Sequence, residues 1–291
     1  MMNTNKYIIL KNSKFIKISG PDSDVFLQGM ITNDINKCSN TQAIYSAFLT
    51  PQGKFIADFF ILKLDDGYLF EINSNQLKNL VDKLGIYKLR AKLNIEENND
   101  YLSLTIDIGN SLFDNLKEIG QLEKINNGYA FIDPRNKKLG LKIILKRDEL
   151  RNFCLKYNLE TDTLKNYDYK RIKLNIPDSS LDLEYNKSLL LENNFDNMNA
   201  IDWDKGCYVG QEITARMKYR SLLKKSLTKI IIIKGNVKSG DEIFFNNKKI
   251  GNISSINNDI GLAMMRIEDS KNAYDNKIEL NTKNGKILVN F

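Results

Sequence analysis

The hydrophobic and polar positions of this chain follow two periods in turn, and the change from one to the other divides it. Phe15-Ile16-Lys17-Ile18 has the make-up of a strand. Gly20-Pro21-Asp22-Ser23 turns the chain into a helix whose Phe26, Leu27, Met30 and Ile31 form an apolar stripe, with Asp22 or Ser23 as its cap. Phe55 to Leu64 and Gly67 to Ile72 predict a hairpin joined through Asp65-Asp66-Gly67. Behind a Ser74 cap, Leu77, Leu80, Val81 and Leu84 recur at helical spacing. Strands are expected near Leu102–Ile106 and Leu141–Leu145. A helix bearing Leu150, Phe153, Cys154 and Tyr157 on one face follows, then a helix over Thr163–Lys173 that stops before Pro177.

From Leu227 onward the pattern becomes all β. The apolar runs Leu227–Ile233, Glu242–Phe245, Lys249–Ser254, Gly261–Arg266, Lys277–Leu280 and Lys286–Phe291 are separated by Gly-Asp, Asn-Asn and Asn-Gly turns. Mixed helix and strand followed by strands alone predicts an α+β region over residues 1–222 and a small antiparallel β-barrel over 223–291.

Composition removes whole classes of chemistry. The 291 residues include no histidine, which excludes histidine-based nucleophile activation and histidine metal sites. Three scattered cysteines cannot supply four soft ligands, so an iron–sulfur cluster held here needs ligands from a partner or a small thiol. The odd cysteine count, and a start without the features of a secretory or organellar leader, predict a reducing compartment, with a cytoplasmic location expected. The longest apolar runs, such as Ile230-Ile231-Ile232-Ile233, are strand-sized and predict no membrane span. Net charge is +7, from 43 basic and 36 acidic residues, mostly lysine. No basic and aromatic residues interleave as in RNA-recognition modules, so the charge fits an anionic small ligand without indicating nucleic acid.

The run Lys205-Gly206-Cys207-Tyr208-Val209-Gly210-Gln211-Glu212 stands out chemically. It sets a cysteine between two glycines, beside a lysine and upstream of Arg216, Lys218 and Arg220; neighbouring cations favour the reactive thiolate. The alternative is a small buried hydrophobe, the common state of cysteine. Cys154 falls on an apolar helix face and Cys38 has no partner nearby in sequence, so both are expected to be structural. Glu192 directly follows Leu189-Leu190-Leu191 and is either an exposed carboxylate or a pocket-wall acceptor for the paired N–H donors of a pterin-like heterocycle. Asp58 interrupts an apolar strand, where alternation places it with Ile56 and Phe60, so an acidic group is expected to face a cavity. Neither of the common glycine-rich phosphate cradles is present.

Taken together, these motifs resemble YgfZ-type proteins, relatives of the glycine-cleavage aminomethyltransferase that take part in iron–sulfur cluster assembly or repair. Lys205–Glu212 is similar to the family's K-G-C-[FYW]-x-G-Q-E signature. Gly20-Pro21-Asp22, Phe26-Leu27-Gln28-Gly29, Thr32-Asn33-Asp34, Pro51-Gln52-Gly53-Lys54, Tyr87–Lys92, Asp133-Pro134-Arg135, Ile176-Pro177-Asp178 and Gly261-Leu262-Ala263 follow the family order. The resemblance implies an aminomethyltransferase-like region around a tetrahydrofolate site, with a terminal barrel. It implies that Glu192 reads the pterin, that Asp58 and Asn73 face the folate, and that Cys207 is the functional thiol within Lys205, Gly206, Gly210, Gln211 and Glu212. Arg216 favours the thiolate or a folate carboxylate. Implied partners are folate and iron–sulfur carrier or client proteins, with Cys207 either a ligand to a shared cluster or a reversibly reacting thiol. The alternative activity is a tetrahydrofolate-dependent one-carbon (aminomethyl) transferase. Against it, Ala57 replaces the first member of the transferases' Asp-Asp pair, and Cys207 is absent from their equivalent loop. Lys218 and Tyr219 stand where many family members carry histidines.

Overall fold

The computed structural model describes residues 5–107, 112–220 and 222–291. The chain forms two compact units, interleaved in sequence. One comprises Met1–Leu164 and Asn197–Gln211, the other Lys165–Asp196 and Glu212–Phe291.

The first unit contains, in order, β1 (Asn5–Ile9), β2 (Ser13–Ser19), α1 (Ser23–Met30), β3 (Ile44–Leu49), β4 (Phe55–Leu64), β5 (Gly67–Asn73), α2 (Ser74–Lys88), β6 (Asn94–Asn98), β7 (Tyr101–Ile106), β8 (Leu122–Ile125), β9 (Gly128–Ile132), β10 (Leu141–Lys146), α3 (Leu150–Lys156) and β11 (Leu159–Thr161). Its strands make two sheets, ordered β3-β4-β5-β2-β6 and β11-β1-β7-β10-β9-β8. The expected hairpin is β4–β5, closing through Leu64 opposite Gly67.

One face of the first sheet is apolar. Ile16, Ile18, Phe59, Ile61 and Phe70 cluster there with Phe26 and Leu27 of α1 and Leu80 and Leu84 of α2, which is why both helices carry an apolar stripe. The opposite face meets the second sheet through aromatic and charged groups. Phe60 packs on Phe131 and Phe15 on Tyr101. The buried Lys142 ammonium donates to Glu71 at 3.0 Å, and the Ser13 hydroxyl donates to the same carboxylate oxygen at 2.8 Å.

The alternation that grouped Ile56 with Asp58 breaks at a β-bulge. Phe48 pairs with Ala57 and Leu49 with Phe55, so Ile56 is the extra residue. Ile56 and Ala57 both enter the helix-side core, whereas Asp58 pairs with Ala47 and turns to the other face with Phe60. The caps also differ from expectation. Asn73, not Ser74, caps α2, and the Asp22 carboxylate accepts from the Lys92 amide at 2.6 Å instead of capping α1. Cys38 is buried and its thiol faces the Ile61 carbonyl at 3.4 Å; burial pushes that thiol up to about 12. Cys154 is half-buried against the apolar cluster of the second sheet.

The second unit contains all but the first residue of α4 (Leu164–Lys173) and of α6 (Gln211–Tyr219), together with α5 (Ser179–Asp182), β12 (Lys225–Gly235), β13 (Glu242–Phe245), β14 (Lys248–Asn257), β15 (Ile260–Arg266), α7 (Ile267–Asp275), β16 (Leu280–Thr282) and β17 (Gly285–Asn290). Its six strands close into the expected antiparallel barrel in the order β12-β15-β14-β13-β16-β17. Ile230, Ile243, Ile253, Met265, Leu280 and Ile287 fill the interior. The buried Arg171 of α4 ties the helical segment to the barrel. It donates to Asp168 at 2.8 Å, Asp182 at 3.0 Å and the Ser255 hydroxyl at 3.1 Å. No helix among the described residues is long and apolar enough to cross a membrane.

Candidate functional site

The segment 197–211 belongs to the first unit and lies along the connection from α1 to β3. Thr32 donates through its hydroxyl to the Ala200 carbonyl at 2.7 Å, and the Asp202 amide donates back to the Thr32 carbonyl at 3.0 Å. Asn33 donates through one side-chain nitrogen to the carbonyls of Tyr45 and Asn199, both at 2.8 Å. Asn199, in the left-handed region that asparagine tolerates, donates to the Pro134 carbonyl at 3.0 Å. Asp202 pairs with Lys37 at 2.6 Å. Burial works to raise its carboxyl, but the Lys37 bond and backbone N–H donors outweigh that and hold it below the usual range. Motifs distant in sequence, Thr32-Asn33, Asp133-Pro134-Arg135 and Asp202–Gly210, are thus one physical cluster.

Lys205 turns inward. Its ammonium donates to the carbonyls of Gln28, Ile31 and Asn33 at 2.9, 2.7 and 2.8 Å. These acceptors surround the C-terminal end of α1, where helical carbonyls lack intrahelical donors. Burial draws the ammonium down to about 8 against the opposing fields of Asp34 and Asp202. Downstream, the Val209 amide donates to the Gly29 carbonyl at 3.0 Å. Gly210, at φ +85°, packs so closely that a Cβ would lie 2.6 Å from the Thr50 carbonyl oxygen and 2.8 Å from the Leu49 Cβ. The loop therefore docks on the Thr50-Pro51-Gln52-Gly53 turn, and only glycine fits. Between these anchors Tyr208 is buried and Cys207 is exposed. Gln211 is half-buried and begins α6, its amide donating to the Tyr208 carbonyl at 3.2 Å.

Three of the four cations that the sequence groups with this thiol have other partners. Lys205 holds carbonyls, Arg216 pairs with Glu212 at 2.5 Å one helical turn away, and Lys218 pairs with Asp196 at 3.1 Å. Among the described residues, no three His, Cys, Asp or Glu side chains gather as a metal site.

Asp58 accepts a short hydrogen bond from the Tyr45 hydroxyl, and its amide donates to Gln76 at 3.1 Å. Burial pushes the Tyr45 phenol well above its ordinary value; Asp58 adds to the rise and Arg135 opposes it. The Arg135 guanidinium stands 4.9 Å over the Phe60 ring and forks onto Asp133 at 3.0 and 2.7 Å. A continuous path of hydrogen bonds joins two predicted residues: Lys205 to Asn33, Asn33 to Tyr45, Tyr45 to Asp58. Tyr45 had no distinguishing signal in sequence, being one residue of an apolar run. Asn73 accepts from the Asn75 amide at 3.0 Å as the α2 cap, so its side-chain oxygen serves the helix.

In the second unit, Glu192 is half-buried on a single 3-10 turn, Leu191–Asn193, between two buried residues. The turn ends at left-handed Asn194, whose side chain donates to the Leu227 carbonyl of β12 at 3.1 Å.

The family described as GCVT N-terminal domain matches residues 9–103, and the CAF17 C-terminal β-barrel domain matches residues 224–288. A protein of Neurospora crassa named iron-sulfur cluster assembly factor IBA57 homolog, mitochondrial, is 33% identical over 236 residues, covering 77% of this chain and 53% of that protein. The factor of the same kind from Mus musculus is 27% identical, covering 75% and 64%. The chain thus spans about half to two thirds of the length of these relatives. The aminomethyltransferase T of the glycine cleavage system from Bartonella henselae superposes with a TM-score of 0.81 at 13% identity, covering 99% of this chain and 85% of that one. The fold is therefore of the aminomethyltransferase kind, carrying a closed six-stranded antiparallel barrel, and the sequence is related to the IBA57 assembly factors. The cytoplasmic location expected from the sequence is overturned by these relatives, which are named as mitochondrial.

Proposed function

We propose that this chain is a YgfZ-type, tetrahydrofolate-binding accessory factor in the assembly or repair of iron–sulfur proteins, with Cys207 as its reacting thiol. The observation that carries the reading is the anchored arch. Lys205 and Gly210 fix the backbone on either side of one solvent-exposed thiol in a chain that cannot complete a cluster site alone. A carrier or client protein supplies the remaining ligands, and the cluster is cargo rather than a resident group. In anaerobic reconstitution with a purified cluster carrier, the wild-type chain co-elutes with a shared visible chromophore and Cys207→Ser does not. A chromophore indifferent to Cys207 removes the thiol from ligation and leaves it a redox or structural role.

Each unit, taken by itself, carries a carboxylate whose chemistry suits folate. A carboxylate is the acceptor that the adjacent N–H donors of a pterin edge require, and Glu192 offers one at half-burial on a fixed turn. In the first unit, Asp58 carries a carboxylate that Tyr45 orients. Asn73 fits less well, because its side-chain oxygen caps α2. When bound, tetrahydrofolate supplies a one-carbon carrier; the residues here bind and orient it. Glu192→Ala weakens tetrahydrofolate binding by about 2 kcal/mol, roughly thirtyfold. Isothermal titration measures this, and an unaltered curve takes Glu192 out of the pocket.

The fold favours a one-carbon transferase as the second reading. Against it, Ala57 lies wholly buried in the helix-side core and offers no carboxylate for proton handling.

A further inference from the structure

We propose that Lys205 is the positioning residue of the Cys207 arch, fixing the register in which segment 197–211 meets the end of α1 and so the point at which the thiol emerges. The backbone bonds on either side, Asp202 to Thr32 and Val209 to Gly29, use groups that every non-proline residue carries, so a slipped segment could remake them. The carbonyls of Gln28, Ile31 and Asn33 cannot be satisfied that way. They converge within 2.7–2.9 Å of a single atom, an arrangement that suits the three donors of an ammonium and not the planar fork of a guanidinium. Lys205 is also the one cation between Asn197 and Gln211, so no neighbouring residue can occupy the position after a slip. Asp34 and Asp202 supply negative field, and Lys37 is occupied with Asp202. Three convergent carbonyls on one ammonium therefore select a lysine at this one position of the segment. Its purpose here rests on Cys207 being the reacting thiol, but loop order can be read without any cluster.

The test places a nitroxide spin label on Cys207 of the full chain in a Cys154→Ser background, Cys38 being buried. With Lys205 present, the spectrum has one restricted component. Lys205→Met, similar in length and uncharged, adds a second component several-fold faster, in a chain that still unfolds cooperatively at a lower midpoint because three carbonyls have lost their donor. Lys205→Arg keeps the charge and still shows two components, because its fork cannot meet three convergent carbonyls. A single restricted component in both variants overturns the proposal. Should Lys205→Met fail to fold, Lys205→Arg carries the test alone, and a single restricted component there overturns the proposal. Failure of cluster transfer with these spectra as expected would count against the Cys207 reading alone.

Discussion

Replacing Arg171 with leucine lowers the unfolding stability of the second unit by about 3–5 kcal/mol, the range for breaking a buried ion pair by removing one partner. Both members of the pair are dry: the Arg171 side chain is 2% exposed and that of Asp182 is 0% exposed. Burial already raises the Asp182 carboxyl despite the opposing guanidinium, a Ser255 donor and the Asp178 amide. Leucine leaves that carboxylate without its counter-charge and removes the donor from the Asp168 carboxylate and from the Ile176 carbonyl, which Arg171 reaches at 3.3 Å. Urea denaturation measures the loss. The Arg171→Leu/Asp182→Leu pair recovers most of it, because a well-packed apolar replacement of both charges avoids the uncompensated ion. A single variant as stable as wild type would show that the charge is solvated where the structure has it dry.

Gly210→Ala costs about 2–5 kcal/mol, combining left-handed backbone strain with overpacking. The overpacking has little room for relief, because the opposing atoms are the Thr50 carbonyl oxygen and the Leu49 Cβ, not the end of a flexible side chain. The chain relieves the clash by lifting the loop off the Thr50–Gly53 turn, so the arch loses its downstream anchor. Amide exchange across residues 206–210 rises together with the fall in denaturation midpoint. Gly206→Ala provides the contrast: no atom lies within 4 Å of a Cβ there, so the same chemical change leaves the midpoint nearly unaltered. Equal effects at both glycines would refute the docking argument.

The parts legible in sequence were those with a clean period or explicit turn chemistry. The β4–β5 hairpin, α2 and the barrel all emerged from alternation, helical spacing and Asn/Gly turns. β3 did not, because every residue from Ile44 to Leu49 is buried and a strand covered on both faces has no alternation to detect. α7 escaped because its buried residues are Ser270 and Ala273, too small and polar to mark an apolar stripe. At the site, the cysteine loop was evident as a motif, but the direction of its lysine was not. The acceptors of Lys205 lie 177, 174 and 172 residues away, and adjacency in sequence pointed toward the thiol instead. The bulge at Ile56 was equally hidden, since a register shift is a property of two strands.

The interleaving of the two units sets an order of events during synthesis. The chain leaves the first unit after Leu164, contributes Lys165–Asp196 to the second, and only then returns with Asn197–Gln211. A nascent first unit therefore waits with the end of α1 unsealed and the Thr50–Gly53 turn uncovered until that late strap emerges. Its closing contacts are among the most non-local in the molecule, the kind that form slowly. The thiol is brought to its final position as one of the last acts of folding, so an immature chain cannot present it in the geometry of the finished protein.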